Sequence, residues 1–167
     1  MPKIELDLNP VDFITIDTVG PKGKRVFYLQ AGKEEQLFSF VIEKEQAWAL
    51  SEAIKELIDD LDERYDEQTD VELGNLDMSL RDPIEPLFRI SQMGLGYDEE
   101  RQKVILVAQE LVVRDEEEES EDAEDPGVVR MWCSREQMRA LSQQAIETVK
   151  SGRADPKQNG RLVYYWT

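Results

Sequence analysis

Few side chains in this sequence are suited to catalysis. The 167 residues include no histidine and one cysteine, Cys133. These counts exclude Ser-His-Asp and Cys-His nucleophiles, a histidine general base, an internal disulfide and a Cys-rich zinc or iron–sulfur site. Cys133 falls on the apolar side of an alternating segment, which is typical of a buried structural thiol. We therefore expect no catalytic residue, no metal site and no cofactor.

Anion binding is the chemistry that remains open to a few basic residues. Lys24, Arg25 and Arg89 could hold a small acidic or phosphorylated ligand. A carboxylate such as Asp98 could then act as a base, because acid–base catalysis does not require histidine. Residues 20–23, Gly-Pro-Lys-Gly, resemble part of a phosphate-binding loop. A strand pattern follows them where such a loop needs a helix, so a hairpin turn is the stronger interpretation.

The charge of the chain restricts its partners. With 37 Asp and Glu against 20 Lys and Arg, the formal net charge is −17. Such a field repels a nucleic-acid backbone, so we expect no nucleic-acid partner. Nine of the eleven residues 115–125 are acidic, and we expect residues 115–126 to form a disordered loop. The acids within 59–63 diverge around a helix, which favours a solvated face over a cation site.

No segment predicts export or membrane contact. The first ten residues lack the apolar stretch of a signal peptide, and no apolar run approaches the ~18 residues that a spanning helix needs. A lone thiol is common in reducing compartments. These features predict a cytoplasmic protein without a membrane partner.

Periodicity places the candidate residues on strands and helices. Apolar spacings of three and four predict helices over about 44–65 and 134–151, the second begun by a capping box of Ser134 and Gln137. Gly94-Leu95-Gly96 lacks the third glycine of a dinucleotide-binding motif, and a turn or bulge is the stronger interpretation. Alternating apolar residues predict six strands, at 13–19, 25–31, 36–42, 87–93, 103–113 and 127–133.

The predicted elements recur in the same order. Three strands and a helix come twice, and residues 45–51 and 136–142 are identical at five of seven positions. We therefore predict one α+β domain over 1–167, with a mostly antiparallel sheet, helices covering it, and two pseudo-repeated βββα units. The alternative is that strand-to-helix junctions converge on similar cap residues. The predicted parts are unit 1 at about 11–65, a linker at 66–86, unit 2 at about 87–152 and a C-terminal tail at 153–167.

Ordered motifs along the chain resemble a known family. They are Phe13-Ile14-Thr15 through Val19-Gly20, Gly23 to Gln30, Glu43 to Gln46, Phe88-Arg89-Ile90, Met93 to Asp98, and Gln158-Asn159-Gly160. With them the chain resembles, over nearly its whole length, the bacterial family called domain of unknown function 3090. The resemblance implies no activity, because the family has none established.

Two further properties follow from the resemblance alone. Family members often carry a Cys-rich, zinc-ribbon-like segment before the final Asn-Gly, but residues 153–158 here contain neither Cys nor His. A zinc role is therefore not implied for this chain. Members are also commonly encoded beside a phosphomutase-like protein and a lipid-kinase-like protein, which favours an accessory role.

Several functions are compatible with the sequence. The first is a non-catalytic adaptor that binds a protein partner. Tyr164, Tyr165 and Trp166 are its predicted contact, because three adjacent aromatic residues cannot all face one core. The alternative is an enzyme or sensor for a small anionic or phosphorylated ligand held by Arg25 and Arg89. A groove between the two units is a further place where a small molecule could bind. The oligomeric state stays open.

Overall fold

The computed structural model describes residues 4–21, 23–113 and 125–151. Most of the predicted acidic loop, 115–126, and the predicted tail, 153–167, lie outside these residues. The strands are β1 (Glu5–Leu8), β2 (Phe13–Val19), β3 (Val26–Lys33), β4 (Gln36–Ile42), β5 (Pro86–Asp98), β6 (Lys103–Glu110) and β7 (Val128–Cys133). The helices are α1 (Lys44–Tyr65) and α2 (Arg135–Ser151), with a short 3₁₀ helix at Leu73–Asn75.

All seven strands belong to one mixed sheet in the order β1-β7-β6-β5-β4-β3-β2. The β1–β7 and β4–β5 pairs are parallel, and the other four pairs are antiparallel. The predicted α+β class and the mostly antiparallel sheet are therefore confirmed. The β4–β5 pair is parallel because α1 and the segment after it carry the chain from the end of β4 back to the start of β5.

The sheet curls until its two edges meet. A flat seven-stranded sheet would separate its edges by about 29 Å. The edge strands β1 and β2 are joined by residues 9–12, which can span at most ~18 Å. The Val11 N–H also donates a hydrogen bond of 2.9 Å to the backbone oxygen of Trp132 in β7. The short connection between the edge strands therefore curls the described strands into a barrel-like sheet.

The core fills the inside of this sheet and the surface under the helices. β6 and β7 bury every second residue, as the pleat requires, whereas β2 and β3 also bury polar residues such as Thr15 and Gln30. The predicted helix stripes are confirmed at Ala47, Leu50, Ile54, Ile58 and Leu61 in α1 and at Met138, Leu141, Ala145 and Val149 in α2, all of them buried. Cys133 is buried as predicted. Burial raises the pKa of its thiol to about 12, so the thiol stays protonated and unreactive near neutral pH.

Two strand predictions were incomplete. The turn expected at Gly94-Leu95-Gly96 is wrong, because β5 continues to Asp98 and Gly94 pairs with Val107 of β6. The irregularity lies earlier, between Ile90 and Gln92, where the register shifts. Strand β1 was missed because four residues, two of them acidic, carry almost no pattern. Strand β1 is held by its parallel pairing with β7, a contact between residues far apart in the chain that no local pattern indicates.

Glutamine side chains begin both helices in the same way. The Glu43 N–H donates to Gln46 Oε1 at 2.7 Å. The Ser134 N–H donates to Gln137 Oε1 at 2.8 Å, and the Gln137 N–H donates back to Ser134 Oγ at 3.0 Å. The predicted capping box at Ser134 and Gln137 is therefore confirmed.

The two helices cross at a pair of buried serines. Ser51 Oγ donates to the backbone oxygen of Ser142 at 2.9 Å, and Ser142 Oγ donates to that of Ser51 at 2.9 Å. Side chains this small let the helices approach closely. Arg139, near the start of α2, bonds Asp59 and Asp62 near the end of α1. The helices therefore run antiparallel.

Residues 66–85, named the strap here, run from the end of α1 across the outer face of β2 and β3. Thr15 Oγ1 donates to the Met78 backbone oxygen at 2.7 Å. The Gln30 side chain donates to the Arg81 oxygen at 2.9 Å and accepts from the Arg81 N–H at 2.8 Å. The Arg81 guanidinium lies 3.6 Å from the centre of the Phe13 ring. These contacts hold an otherwise irregular segment against the sheet.

Candidate binding groove

An open groove lies between the first half of α1 and strand β5. Residues Gln46, Ala49, Leu50 and Ala53 line one side, and residues 91–95 line the other. The groove has a volume of about 300 Å³, near the lower limit for ligand sites, and its walls are mostly apolar. It is hereafter called the α1–β5 groove.

Small residues leave the groove open. Ala49 and Ala53 lie one helical turn apart on the exposed side of α1. Opposite them, a Cβ atom added at Gly94 would meet no atom within 4 Å. Gly94 is exposed and its φ is not positive, so a larger side chain could stand there without backbone strain. Ala49, Ala53 and Gly94 therefore leave much of the groove lining without large side chains.

Gln46 closes one end of the groove. Its Nε2 donates to the backbone oxygens of Ile90 at 3.1 Å and Ser91 at 3.2 Å, while its Oε1 caps α1. One amide thereby joins the helix start to the register shift of β5. Ser91 and Gln92 hydrogen-bond across to β6, with Gln92 Nε2 at 2.7 Å from Gln109 Oε1. The polar groups at the rim are therefore held in place by neighbouring strands.

A second groove occupies the matching place at the start of α2. Gln137 Nε2 donates to the backbone oxygens of Val11 at 3.2 Å and Asp12 at 3.4 Å, as Gln46 does to Ile90 and Ser91. Gln137, Ala140 and residues 12–14 line this groove. Gln46 thus matches Gln137, Ala49 matches Ala140, and residues 91–93 match 12–14.

The strap covers the second groove. Val71, Leu76, Asp77 and Met78 form part of its lining, and it is hereafter called the α2–β2 groove. Over the α1–β5 groove, by contrast, none of the lining residues comes from a covering segment within the part of the chain that the structure describes. The strap therefore lines one groove, which keeps a volume of about 200 Å³, and contributes no lining residue to the other.

A charged clasp holds the strap at the end of α1. Thr69 donates to Asp62 through its N–H at 2.9 Å and its hydroxyl at 2.6 Å. Arg139 donates to the Thr69 backbone oxygen at 3.0 Å and to Asp62 at 3.2 Å. Burial raises the pKa of Asp62, but the hydrogen bonds from Thr69 and the nearby Arg139 outweigh it, so the net pKa lies below its usual value.

Arg135 adds a second ion pair to this clasp. Its side chain is 8 % exposed and donates to Glu67 at 2.6 Å and to the Tyr97 hydroxyl at 3.0 Å. The hydrogen bond with Tyr97 and the neighbouring carboxylates raise the pKa of Arg135 above its usual value. A guanidinium so buried and so paired has a structural role.

A polar cavity of about 240 Å³ lies beside this clasp. Arg101, Lys103 and Arg135 bring positive charge to it, while Glu67 and Glu136 bring negative charge. Arg101 is held by Asp98 at 2.9 Å and Arg135 by Glu67. The cavity therefore has mixed charge and does not resemble a preformed anion site.

The predicted anion-binding residues are tied into the structure. Arg89 forms an ion pair with Glu43, the residue before α1. Arg25 Nη1 donates to the backbone oxygen of Ser151 at 3.0 Å. The Lys24 N–H donates to the Pro21 oxygen at 2.9 Å, as expected for the predicted turn between β2 and β3.

Asp98 lies far from Arg89. The two are nine residues apart on the same strand, roughly 30 Å along it. The backbone N–H and side chain of Arg101 hydrogen-bond to Asp98 and lower the pKa of its carboxyl group, which makes the carboxylate a weaker base. The structure therefore does not bring Asp98 together with Arg89.

The predicted contact residues Tyr164, Tyr165 and Trp166 lie outside the described residues.

Sequence reasoning missed the lining of the α1–β5 groove. A signal was present in the two alanines at the i, i+4 spacing on a helix face otherwise rich in acids. The two alanines alone do not reveal the groove, because the glycines at 94 and 96 predict a turn rather than a strand beside α1.

Other candidate chemistry is absent from the described ranges. Within residues 4–21, 23–113 and 125–151, no three His, Cys, Asp or Glu side chains group so that they could hold a metal ion. No helix of the described chain is both long and apolar enough to cross a membrane.

The fold and grooves define an α+β protein with a barrel-like mixed sheet, two crossed helices and two matching grooves, one of which the strap lines. The chain belongs to the DUF3090 family, described as a protein of unknown function, whose model matches residues 6–159. Comparison with the curated proteins and with the solved structures gives no match.

Proposed function

We propose that this protein is a non-catalytic binding protein that holds an extended segment of a protein partner in the α1–β5 groove. The pair of matching grooves is the observation that carries the proposal. In the α2–β2 groove, the irregular strap, which includes the 3₁₀ helix Leu73–Asn75, presents apolar side chains to residues equivalent to those that line the α1–β5 groove. The covered groove is thus a template for the occupant of the open one.

The template favours an apolar segment. Val71, Leu76 and Met78 are the apolar residues that the strap adds to its groove. In the open groove the position that matches Thr15 is Gly94, which offers no hydroxyl to anchor a strap backbone. Binding there depends on apolar contacts along the groove and on the amide of Gln92, so we expect micromolar affinity.

The rim charge favours basic residues beside the apolar ones. Glu45, Glu52 and Glu56 are exposed on α1 and lie within one turn of Ala49 or Ala53. The net charge of −17 adds a long-range attraction for a basic partner. An apolar segment flanked by Lys or Arg fits both the walls and the rim.

We further infer that the chain consists of two duplicated βββα units. Support comes from the five identities between 45–51 and 136–142, from the equivalent bonds of Gln46 and Gln137 and from the reciprocal bonds of Ser51 and Ser142. Parallel pairing of β4 with β5 has its equivalent in the pairing of β1 with β7. Duplication explains why two similar grooves exist.

We also propose a cytoplasmic location and no nucleic-acid partner, as the composition predicts.

A displayed library of random 12-residue peptides tests the proposed function on the full chain. We expect enriched peptides with an apolar centre and basic flanks. Their affinity should fall at least ~10-fold in Gly94→Phe, which fills the groove.

Gly96→Phe is the matched control. It lies on the same strand face and is equally open, but it is not part of the groove lining. Peptides that bind both variants equally, or a library without enriched binders, would contradict the proposal.

A further inference from the structure

We infer that the partner segment binds in the α1–β5 groove by strand addition, with its backbone hydrogen-bonded to Met93 and Leu95 of β5. This mode of recognition rests on the proposed function and deepens it. In strand addition, main-chain hydrogen bonds to a free sheet edge supply affinity, and alternate side chains supply specificity. The ligand is therefore an extended peptide that is recognised by its backbone as well as by its apolar side chains.

Strand β5 extends beyond the strand that pairs with it on one side. The parallel pairing with β4 ends with Val41 opposite Arg89, whereas β5 continues to Asp98. Over residues 92–98, β5 pairs with β6 alone within the described chain. The opposite edge of this stretch therefore has no strand beside it among the described residues.

Backbone hydrogen bonds at the end of β6 fix which way its residues face. The Glu110 N–H donates to the Gly127 oxygen at 2.8 Å, toward β7. The Leu111 N–H donates to the Arg89 oxygen at 2.7 Å, toward β5. Backbone groups alternate between the two neighbours of a strand in an antiparallel sheet. The odd-numbered residues of β6 therefore bond to β5, and the even-numbered residues bond to β7.

The partners of these β6 residues identify the groups at the free edge. The odd-numbered residues of β6 lie opposite the even-numbered residues of β5 from 92 to 98. Met93 and Leu95 therefore direct their N–H and C=O groups to the other side, into the α1–β5 groove that both residues line. Within the described ranges, no group hydrogen-bonds to them there. Free N–H and C=O groups along a strand edge are a template for another chain.

Helix α2 satisfies the matching edge in the other half of the molecule. Thr148 Oγ1 donates to the backbone oxygen of the buried Ile16 at 3.3 Å. By the same offsets that match the two grooves, Ile16 matches Leu95 and Thr148 matches Leu57. Leucine has no hydroxyl group to donate. The carbonyl group that α2 bonds in one half therefore has no such donor on α1 in the other.

The groove leaves space beside this edge. Helix α1 is tied to β5 near both ends, because Gln46 bonds the start of the stretch and the Tyr65 ring lies 6.2 Å from the Tyr97 ring. Between these contacts, Ala49 and Ala53 are the small residues on the helix side of a groove of about 300 Å³. An added strand fits between the helix and β5 at this place.

The sheet geometry sets the side-chain pattern of the ligand. Alternate side chains of an added strand stand on the same face as those of Met93 and Leu95, against Leu50 of α1. These positions require apolar residues. The intervening side chains stand on the face of Gly94, where the space is open. The exposed glutamates of α1 and the net charge of −17 favour Lys or Arg at the intervening positions.

Amide hydrogen exchange in the free full chain tests whether the edge is open. The amides of Met93 and Leu95 should have protection factors at least ~10-fold below those of Gly94 and Gly96, which bond to β6. The two glycines are the matched control, because they alternate with the edge residues on the same strand. Equal protection would overturn the inference, since the edge would then be paired already.

A proline substitution tests whether the edge carries binding. Leu95→Pro removes the N–H that faces the groove and leaves the bonds to β6, a position at which a strand tolerates proline. Leu95→Ala is the matched control, because it also removes the leucine side chain but keeps the N–H. Peptides selected from the library should bind Leu95→Pro at least ~10-fold more weakly than Leu95→Ala.

Backbone-modified peptides give a readout that does not depend on how well a variant folds. N-methylation of every second residue of a selected peptide should weaken binding to the wild-type chain at least ~10-fold, and N-methylation of the intervening residues less than ~3-fold. An effect that does not alternate would overturn strand addition.

The outcomes distinguish strand addition from the proposed function. If peptides sensitive to Gly94→Phe bind Leu95→Pro and Leu95→Ala equally, strand addition fails and the proposed function stands. A library without binders removes both. We expect binding that is lost in Gly94→Phe, weaker in Leu95→Pro than in Leu95→Ala, and sensitive to alternate N-methylation.

Discussion

The two grooves share their construction and differ in what covers them. In each, a glutamine three residues after a helix cap bonds two carbonyls of a distant strand, and an alanine one turn later leaves space. The α2–β2 groove has Thr15 and Arg139 to hold the strap, whereas the matching positions of the α1–β5 groove are Gly94 and Trp48. Backbone anchors have thus been replaced by open space and an exposed indole. Two similar frames thus differ in the side chains at matching positions and in whether the strap lines them.

Of the substitutions proposed here, the removal of Asp62, the carboxylate that holds the strap, is expected to lower the free energy of unfolding most. Asp62→Ala removes three hydrogen bonds from Thr69 and Arg139 and leaves the largely buried side chains of Arg139 and Arg135 without that charge. The free energy of unfolding should fall by about 2 to 3 kcal/mol. Chemical denaturation measures it. Asp60→Ala, which removes only an exposed pair with Arg64, should cost under about 0.5 kcal/mol; equal losses would argue against the clasp.

Acid should weaken the same clasp. The pKa of Asp62 is lower in the folded chain than its usual value of 3.8. Its stabilising contribution is therefore complete above pH 3.8 and is lost as the pH falls through the folded pKa. The difference in unfolding free energy between wild type and Asp62→Ala should narrow only in that acidic range. A difference that is constant down to the lowest pH would exclude this linkage.

Replacing Gln46 and Gln137 by alanine compares how much each glutamine contributes to stability at its own groove. Gln46→Ala and Gln137→Ala each remove a helix cap and the bonds to the facing strand. We expect losses of about 1 to 2 kcal/mol in each case. Thermal and chemical unfolding of the two variants tests whether the frames are energetically alike. A loss confined to one of them would break the match between the halves.

The serine crossing should show coupling of intermediate size. Ser51→Ala and Ser142→Ala should each cost about 1 kcal/mol, because each change leaves a buried carbonyl without its donor. The double variant should cost less than the sum by about 0.5 kcal/mol, since the two hydroxyls lie 3.2 Å apart. Strict additivity in the double-mutant cycle would show that the two bonds are independent.

The smallest effect is expected at Arg89. Its ion pair with Glu43 is exposed, at 48 % and 61 %, so Arg89→Ala should change the unfolding free energy by less than about 0.5 kcal/mol. Peptide binding to the α1–β5 groove should not change, because Arg89 is not part of the lining. A large loss of stability in Arg89→Ala would mean that the Arg89–Glu43 ion pair contributes more to the free energy of unfolding than an exposed pair normally does.

Local patterns predicted the helices well and the strands in part. The stripes of α1 and α2 and the cap at Ser134 follow from spacing and from one side-chain bond, both of which are local. Glycine misled the prediction at residues 94–96, because its turn propensity was overridden by pairing with β6. The candidate ligands Arg25, Arg89 and Asp98 were chosen by residue type, and type does not show that each already has a partner in the fold.

The sequence by itself determined the two helices and most of the strands, the exclusion of histidine and disulfide chemistry, and the net negative charge. Those properties depend on composition and on periods of two to four residues. Only the tertiary structure decided where the sheet closes, which face the strap covers and which groove the strap lines. These depend on contacts between residues far apart in the chain, such as Thr15 with Met78 and Gln137 with Val11, whose proximity no local pattern encodes.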